Sequence, residues 1–356
     1  MNERNPSNVP QPLVSVLMAV YNTGDYLSLA IESIFNQTYQ HFELIIVNDG
    51  STDNSDAIIS AYQDDRIIYL KNEVNLGVVK SRIRGLEKVR GKYLAVMDSD
   101  DIAMPDRLER QVDFLEEHIE FGLCGTYFNV IDSNGEFVES IKFPEEDADI
   151  RAFLHFGNCF CHSTVVYRAE LAQRFGFSNA NFLGEDYQLI IDVASVSKLT
   201  NLPFLGCLYR VHEKNVSFKN NLQMFNSIRE INRQNLLKLG IPFSEKLLDV
   251  HSHFLVFDAA YFADQSNFEA LESWLKTIIA ATEQNPMMNR PVIFKFLLHR
   301  WFVICYKRKS IYKILFSDLL FTYKIKYLTL MIGEAYERGA NKYIRKLSRV
   351  ALFSLK

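Results

Sequence analysis

Five short polar clusters hold the residues that could do chemistry in this sequence. The densest is Asp98-Ser99-Asp100-Asp101, directly after the apolar run KYLAVM. Several carboxylates on one short loop repel one another. A hard divalent ion such as Mg²⁺ or Mn²⁺, which also pairs with substrate phosphates, relieves that repulsion. An acidic turn capping the next helix is the other reading. Asn48-Asp49-Gly50-Ser51-Thr52-Asp53 follows a second apolar run, and a carboxylate there can accept donors from a base or ribose. An Asx-rich turn with a helix cap explains it equally well. In Gly184-Glu185-Asp186-Tyr187, Asp186 can deprotonate an incoming hydroxyl, or the two acids can simply favour a helix N-terminus. Tyr209-Arg210-Val211-His212-Glu213 offers a phosphate-binding Arg and a metal-binding His, or a plain surface loop. His162-Ser163-Thr164 follows Cys159-Phe160-Cys161, where the ligands are too few and too close for tetrahedral zinc and core thiols are expected.

These clusters need a frame that brings them together. Residues 13–21, 39–47, 67–70 and 92–97 read as strands, with helical periodicity between them, including Leu27, Ala30, Ile31, Ile34 and Phe35. Strands alternating with helices predict an α/β fold with an open, mostly parallel sheet. In such sheets ligands gather at the C-terminal strand ends, where both acidic clusters lie. Further on, the spacing predicts a helix over 106–120, antiparallel strands over 121–141 around the turn DSNG (132–135), and a short helix over 150–156. A strand over 163–168, a helix over 186–197 and a strand over 204–211 follow. From 219 the pattern is all-helical, over 219–238, 244–262, 266–284, 290–306, 310–327 and 328–349. The expected organisation is an α/β domain over 1–218 and a helical region over 219–356.

The 356 residues are 48% hydrophobic and 23% charged, which excludes a disordered chain and allows a core with an appendage. Five Cys without CxxC spacing read as reduced, intracellular thiols. No signal peptide is visible in the polar, Pro-containing start MNERNPSNVPQP, and no unbroken apolar run is long enough to span a bilayer. The net charge of −4 averages a −15 body over 1–290 with a +11 segment over 291–356.

The clusters also occur in a recognisable order. The chain resembles the inverting family 2 glycosyltransferases, which have the GT-A fold. VSVLMAVYN (14–22) is similar to the family's opening strand, and IESIFNQTYQHFELIIVNDGSTDNS (31–55) to its nucleotide-binding segment. Asn75-Leu76-Gly77 with Arg82 is similar to its NxG…R stretch. DSDD (98–101) resembles its DxD metal motif, followed by MPDRLERQ (104–111). HST (162–164), GEDY (184–187) and YRVHEKNVS (209–217) are similar to its second half. The likeness covers about residues 13–218.

The resemblance implies a nucleotide-sugar site lined by Val20, Tyr21, Asn22, Asp49, Asp53, Arg82, Asp98, Ser99 and Arg210. Within it Asp49 would bond the base, Asp53 and Arg82 would help close the pocket, and Asp98 would hold the ribose or support the metal loop. Asp100 and His212 would bind a divalent metal, Mn²⁺ or Mg²⁺, with Asp100 the direct ligand. Asp186 would be the catalytic base, and His162, Glu185 and Gln188 would lie on the acceptor side. Gln188 stands where the family often has an acid two positions after the base. The implied reaction is a single displacement that inverts an α-linked UDP-hexose or UDP-N-acetylhexosamine to a β-linkage. The implied acceptor is a saccharide on a lipid-linked surface-polysaccharide intermediate. The QxxRW motif and membrane helices of processive synthases are absent from the sequence, so one sugar per encounter is expected. A nucleotidyltransferase is the runner-up, but YNTGDY after the first strand lacks the basic, Gly-rich loop a triphosphate needs. A noncatalytic nucleotide-sugar-binding protein is the third reading.

Residues 290–327 combine basic and aromatic side chains, among them Phe294, Phe296, Trp301, Phe302, Tyr306, Tyr312, Phe316, Phe321, Tyr323 and Tyr327. Such a segment can lie in an anionic membrane interface, which predicts a cytoplasmic protein held peripherally on the inner face of the cytoplasmic membrane. Packing on the catalytic domain and a homodimer interface are the other readings. No nucleic-acid module is present.

Overall fold

Alternating apolar runs and helical periods at the start of the chain form β1 (Val14–Val20), α1 (Gly24–Phe35), β2 (Phe42–Asn48), α2 (Ser55–Ala61), β3 (Ile67–Lys71), α3 (Val78–Leu86) and β4 (Tyr93–Val96). They are seen in a computed structural model that describes residues 11–177, 183–213, 215, 221–255, 258, 260–285 and 288–310. Next come β5 (Ile102–Ala103), α4 (Arg107–Glu117), β6 (Phe121–Ile131), β7 (Phe137–Ile141), α5 (Asp147–Leu154), β8 (Val166–Arg168), α6 (Ala169–Phe175), α7 (Glu185–Ala194) and β9 (Lys198–Arg210). The chain divides into two compact units, Met1–Asn235 and Leu236–Lys356.

The first unit is built on one sheet of order β3-β2-β1-β4-β8-β6-β9-β5, with β7 paired to β6. β3, β2, β1 and β4 run parallel, as the alternation of strand and helix requires. β2 is buried along its whole length, the pattern of a strand covered on both faces. Leu27, Ala30, Ile31 and Ile34 of α1 are all buried, so the helical period maps onto the packed face. Beyond β4 the sheet is mixed: β8 is antiparallel to β4 and β6, while β9 is parallel to β6.

Several boundaries differ from the sequence expectation. β9 starts at Lys198 rather than 204, because Leu199–Leu202 already pairs with β6; the register shifts where Pro203, with no N–H to give, interrupts the ladder. α7 stops at Ala194 rather than 197, because Ser195 and Ser197 turn back to bond Asp192 and Val193. His162–Thr164 is a 3₁₀ turn, and only Val166–Arg168 is strand.

Gly50 sits just past the C-terminal end of β2 with φ +68°, and an added Cβ would lie 2.5 Å from the backbone carbon of Val74. Gly50→Ala should therefore cost roughly 1–3 kcal/mol of stability. It should also push the Val74–Gly77 loop off Asp49. A thermal melt with a UDP titration checks both effects.

Helices α8 (Asn221–Lys238), α9 (Glu245–Leu255), α10 (Gln265–Gln284) and α11 (Arg290–Lys307) follow. The helix expected over 244–262 ends at Leu255, with a separate 3₁₀ turn at Tyr261–Ala263. The second unit has its own aromatic core: Trp301 stacks on Phe268 at 5.0 Å, and Trp274 Nε1 donates to His251 Nδ1 at 3.1 Å. Phe294 and Trp301, read from sequence as interfacial, are buried in this core. The helices expected over 310–327 and 328–349 lie outside the described residues beyond Ser310. No helix among the described residues is long and apolar enough to cross a membrane.

Candidate active site

The acidic loop after β4 is held from four directions. Asp98 Oδ1 accepts from Arg82 Nη2 at 2.7 Å, while its backbone N–H donates to Ser163 Oγ at 3.1 Å. Ser99 Oγ accepts from Thr23 Oγ1 at 2.9 Å. Asp100 Oδ2 lies 2.9 Å from His212 Nε2 and accepts from Asn215 Nδ2 at 3.4 Å. Asp101 is fully buried, and its Oδ1 accepts from the Arg210 N–H at 2.7 Å. Burial, with Asp100 and Asp98 alongside, pushes the Asp101 carboxyl well above the usual range. Through the Arg210 N–H it pins β9 to the loop.

Asp100 and His212 come together from positions far apart in the chain. One carboxylate and one imidazole in contact suit a divalent ion that takes its other ligands from water and a diphosphate. Among the described residues no group of three or more His, Cys, Asp or Glu could hold a metal without such help. The pair thus fits the expected metal as a partial site that substrate completes. Tyr26, which the sequence reading did not single out, backs this corner: its ring lies 4.8 Å from that of His212, and Arg210 sits 4.6 Å above it.

Arg210, expected at phosphate, also holds the loops around it. It is buried, donating from Nε to Asp100 O at 2.9 Å and from Nη1 to Asp132 O at 3.2 Å. Both bonds go to backbone carbonyls, so it shapes the acidic loop through the backbone.

On the nucleotide side, Asp49 is buried and already well used. Its Oδ1 accepts from Asn72 Nδ2 at 2.7 Å and Leu76 N at 2.9 Å, and its Oδ2 accepts from Gly77 N at 2.9 Å. It therefore orders the Asn75-Leu76-Gly77 turn. Each carboxylate oxygen has two lone pairs, so capacity remains on Oδ2. Asp53 joins two helix starts, accepting from Gly24 N at 2.9 Å and Ser55 N at 3.0 Å. Burial raises its pKa, but the Ser55 and Gly24 hydrogen bonds outweigh that and hold the carboxyl low. Asn22, at φ +53°, takes Thr52 N at 2.8 Å on its Oδ1. Val20 is buried and its carbonyl accepts from Asp49 N at 2.8 Å, while Tyr21 is 45% exposed. Tyr21 and Asp53 are exposed, while Val20, Asn22 and Asp53 build the loops between β1 and α2.

The base side centres on the first turn of α7. Glu185, Leu189 and Val193 recur at i, i+4 and i+8 and are buried. That phase turns Glu185 inward and leaves Asp186 at the edge of the buried face. Glu185, expected beside the acceptor, is instead buried: Oε1 accepts from Arg82 Nη1 and Oε2 from Gly184 N at 3.0 Å. Arg82 is likewise no free pocket-closing arm, since both ends of its guanidinium are engaged. Gln188 is half-buried and donates from Nε2 to Asp192 Oδ1 at 3.0 Å, one turn along the same helix.

Asp186 is different. Its side chain is 26% exposed, its Oδ2 accepts from Asn158 Nδ2 at 3.2 Å, and His162 Nδ1 lies 3.9 Å away. Burial and the Glu185 charge raise its pKa to about 6 against the opposing pull of Arg82. That value suits a general base near neutral pH. Burial and Arg82 hold the His162 imidazole down to about 4, so it is neutral beside Asp186.

Two further residues hold the site without having been singled out. Arg107, inside MPDRLERQ, is fully buried and donates to the carbonyls of Val96 at 3.0 Å and Val165 at 3.3 Å. It ties the end of β4 to the strand entering β8. Asn158 precedes the Cys159-Phe160-Cys161 run and reaches Asp186. The density of polar residues around Asp101 and Arg107 was the available signal; Asn158 had none.

The sequence pattern of the Glycosyl transferase family 2 domain matches residues 15–176. An uncharacterized glycosyltransferase of Haemophilus influenzae is 32% identical over 260 residues, covering 67% of this chain and 80% of that protein. The Escherichia coli protein WfaP, described as a UDP-Glc:alpha-D-GlcNAc-diphosphoundecaprenol beta-1,3-glucosyltransferase, is 32% identical over 242 residues, 66% of this chain and 90% of its own. Among solved structures, Staphylococcus aureus TarS 1–349 in complex with UDP-GlcNAc superposes with a TM-score of 0.54 at 18% identity, covering 84% and 89% of the two chains. The mannosyltransferase PcManGT from Pyrobaculum calidifontis, in complex with GDP-Man and Mn²⁺, gives 0.51 at 16% identity over 86% and 88%. These two likenesses establish the GT-A fold.

Proposed function

This chain belongs to glycosyl transferase family 2, and from that premise we propose that it moves one sugar from a UDP-sugar to a saccharide hydroxyl with inversion, forming a β-linkage. The observation that carries the reading is the Arg82 bridge. It joins the acidic loop after β4 to the start of α7, so Asp98 and the turn that carries the candidate base Asp186 are held beside one guanidinium.

In this reading Asp186 takes the proton of the acceptor hydroxyl as that oxygen forms its bond to the anomeric carbon. The bond from that carbon to the diphosphate oxygen breaks, and its electron pair leaves with the nucleoside diphosphate. Attack from the face opposite the leaving group inverts the centre, so one base suffices. Asp100 and His212 would hold Mn²⁺ or Mg²⁺, which when bound offsets charge on the leaving diphosphate. Asp49 and the turn it orders would meet the base.

WfaP acts on a lipid-linked diphosphate, which supports a lipid-linked surface-polysaccharide intermediate as the acceptor here. Attachment to an anionic membrane surface would rest on the basic and aromatic residues of 311–327, since Phe294 and Trp301 are core. One experiment tests donor, acceptor and place together. The full chain with Mn²⁺ is offered UDP-glucose, UDP-galactose, UDP-GlcNAc and GDP-mannose with GlcNAc-diphosphoundecaprenol in anionic liposomes. Products are read by mass spectrometry, and liposome sedimentation is read at low and high salt. A UDP-sugar-dependent product and salt-sensitive sedimentation are expected. Binding of none of these nucleotides would sink the donor reading. A chain that stays in the supernatant at low salt would sink the membrane reading.

A further inference from the structure

Arg82 projects from α3 with a side chain only 10% exposed. Its Nη2 donates to Asp98 Oδ1 at 2.7 Å and its Nη1 to Glu185 Oε1. The other Glu185 oxygen accepts from Gly184 N at 3.0 Å, the backbone immediately before α7. The planar guanidinium therefore spans two segments that the sequence separates widely: the acidic loop and the turn that launches α7. The family likeness suggests a nucleotide contact for this residue. In the observed geometry each Nη instead gives one N–H to a protein carboxylate.

We infer that Arg82 is a positioning residue: by bridging Asp98 to Glu185 it fixes the first turn of α7 and aims Asp186 at the acceptor hydroxyl. This inference rests on Asp186 being the base. It makes Arg82 act on the chemical step rather than on donor affinity. A lysine would keep the charge but, as a single point on a flexible stem, could not hold both carboxylates in the forked geometry.

Charged and titratable groups from several elements face Asp186 among the described residues. Glu185 lies on its own helix, Arg82 comes from α3, Asp98 from the loop after β4, His162 from the 3₁₀ turn and Tyr167 from β8. Of these, Glu185 and Asp98 raise the Asp186 pKa and Arg82 lowers it. Replacing Glu185 by the near-isosteric Gln removes the larger raising charge and leaves an acceptor for Arg82.

The test uses the full chain with UDP and Mn²⁺ as the binding probe. Turnover is followed as nucleoside diphosphate released from the donor panel above. The Asp186 carboxyl carbon, assigned by its loss in Asp186→Asn, is titrated by NMR and needs no substrate. Arg82→Lys should lower kcat by about 10–100-fold while UDP affinity stays within about threefold. Glu185→Gln should move the Asp186 midpoint down from about 6 toward the ordinary carboxylate range. Arg82→Lys that weakens UDP binding and spares kcat would make Arg82 a nucleotide contact and overturn the inference. So would a Glu185→Gln midpoint that stays in place. If Arg82→Lys does not fold, the Glu185→Gln titration decides. Full turnover by Asp186→Asn would instead remove the base assignment, a failure distinguishable from either result.

Discussion

Asp186→Asn should lower transfer by roughly 10²–10⁴-fold, the usual contribution of a positioned general base. The substitution keeps the shape of the side chain and its contact with Asn158, so Mn²⁺-dependent UDP binding should stay within about threefold of wild type. The pH dependence gives the same assignment a second signature. Asp186 works as a base only when ionised, and burial with Glu185 raises its pKa to about 6. In the wild type kcat/KM should therefore rise with pH through about 6 and level off above neutrality. At pH 5 it should stand about tenfold below the plateau. In Asp186→Asn that limb should vanish along with the rate. His162, held neutral down to about 4, stays uncharged across this range and does not add a second limb. A variant that keeps wild-type turnover, or a limb that persists in it, would show that another group takes the proton.

The second large effect belongs to Asp100. If Asp100 and His212 hold a divalent ion as proposed, removing one of the two groups, in Asp100→Asn, should cost roughly 10²–10³-fold in transfer. It should also abolish the dependence of UDP affinity on Mn²⁺. The comparison that isolates the metal is Asp98→Asn. Asp98 is spent on Arg82 rather than on His212, so this change should weaken turnover while UDP affinity still responds to Mn²⁺. Calorimetric titration of UDP with and without Mn²⁺ reads both variants. An Asp100→Asn chain whose nucleotide affinity still rises with Mn²⁺ would move the metal elsewhere. Asp101→Asn addresses a different property. Its carboxyl is buried, with Arg210 N–H on one oxygen, so its loss should loosen the pairing of β9 with the acidic loop rather than remove a ligand.

Much of this architecture is legible in the linear chain. Short continuous apolar runs suit strands covered on both faces, and a period of three to four suits helices; both are local consequences of backbone geometry. They marked β1 through β4 and α1 with boundaries off by a few residues. The polar clusters at strand ends could be placed for the same reason: a parallel sheet puts consecutive strand ends on one edge. The pairing of β6 with β9 could not be read, because parallel strands distant in sequence leave no turn to announce them. That pairing delivers Arg210 and His212 to the acidic loop.

What the sequence by itself determined was the order of elements, the chemistry of each cluster and the family it belongs to. Only the tertiary structure decided which of those side chains are free. Arg82, Glu185 and Arg210 are charged residues in motifs, and by type they suit ligand contacts. Folding buries all three, and a buried charge must be paired or bonded, so they became clamps on the loops that carry Asp98, Asp100 and Asp186. Asp186 escaped because it lies one residue off the buried phase of α7. The tail follows the same logic with apolar groups. A helix surface that favours a membrane interior also favours a protein core, since both remove hydrocarbon from water. Hydropathy alone could not separate the two destinations for Phe294 and Trp301; the packing of α10 and α11 did.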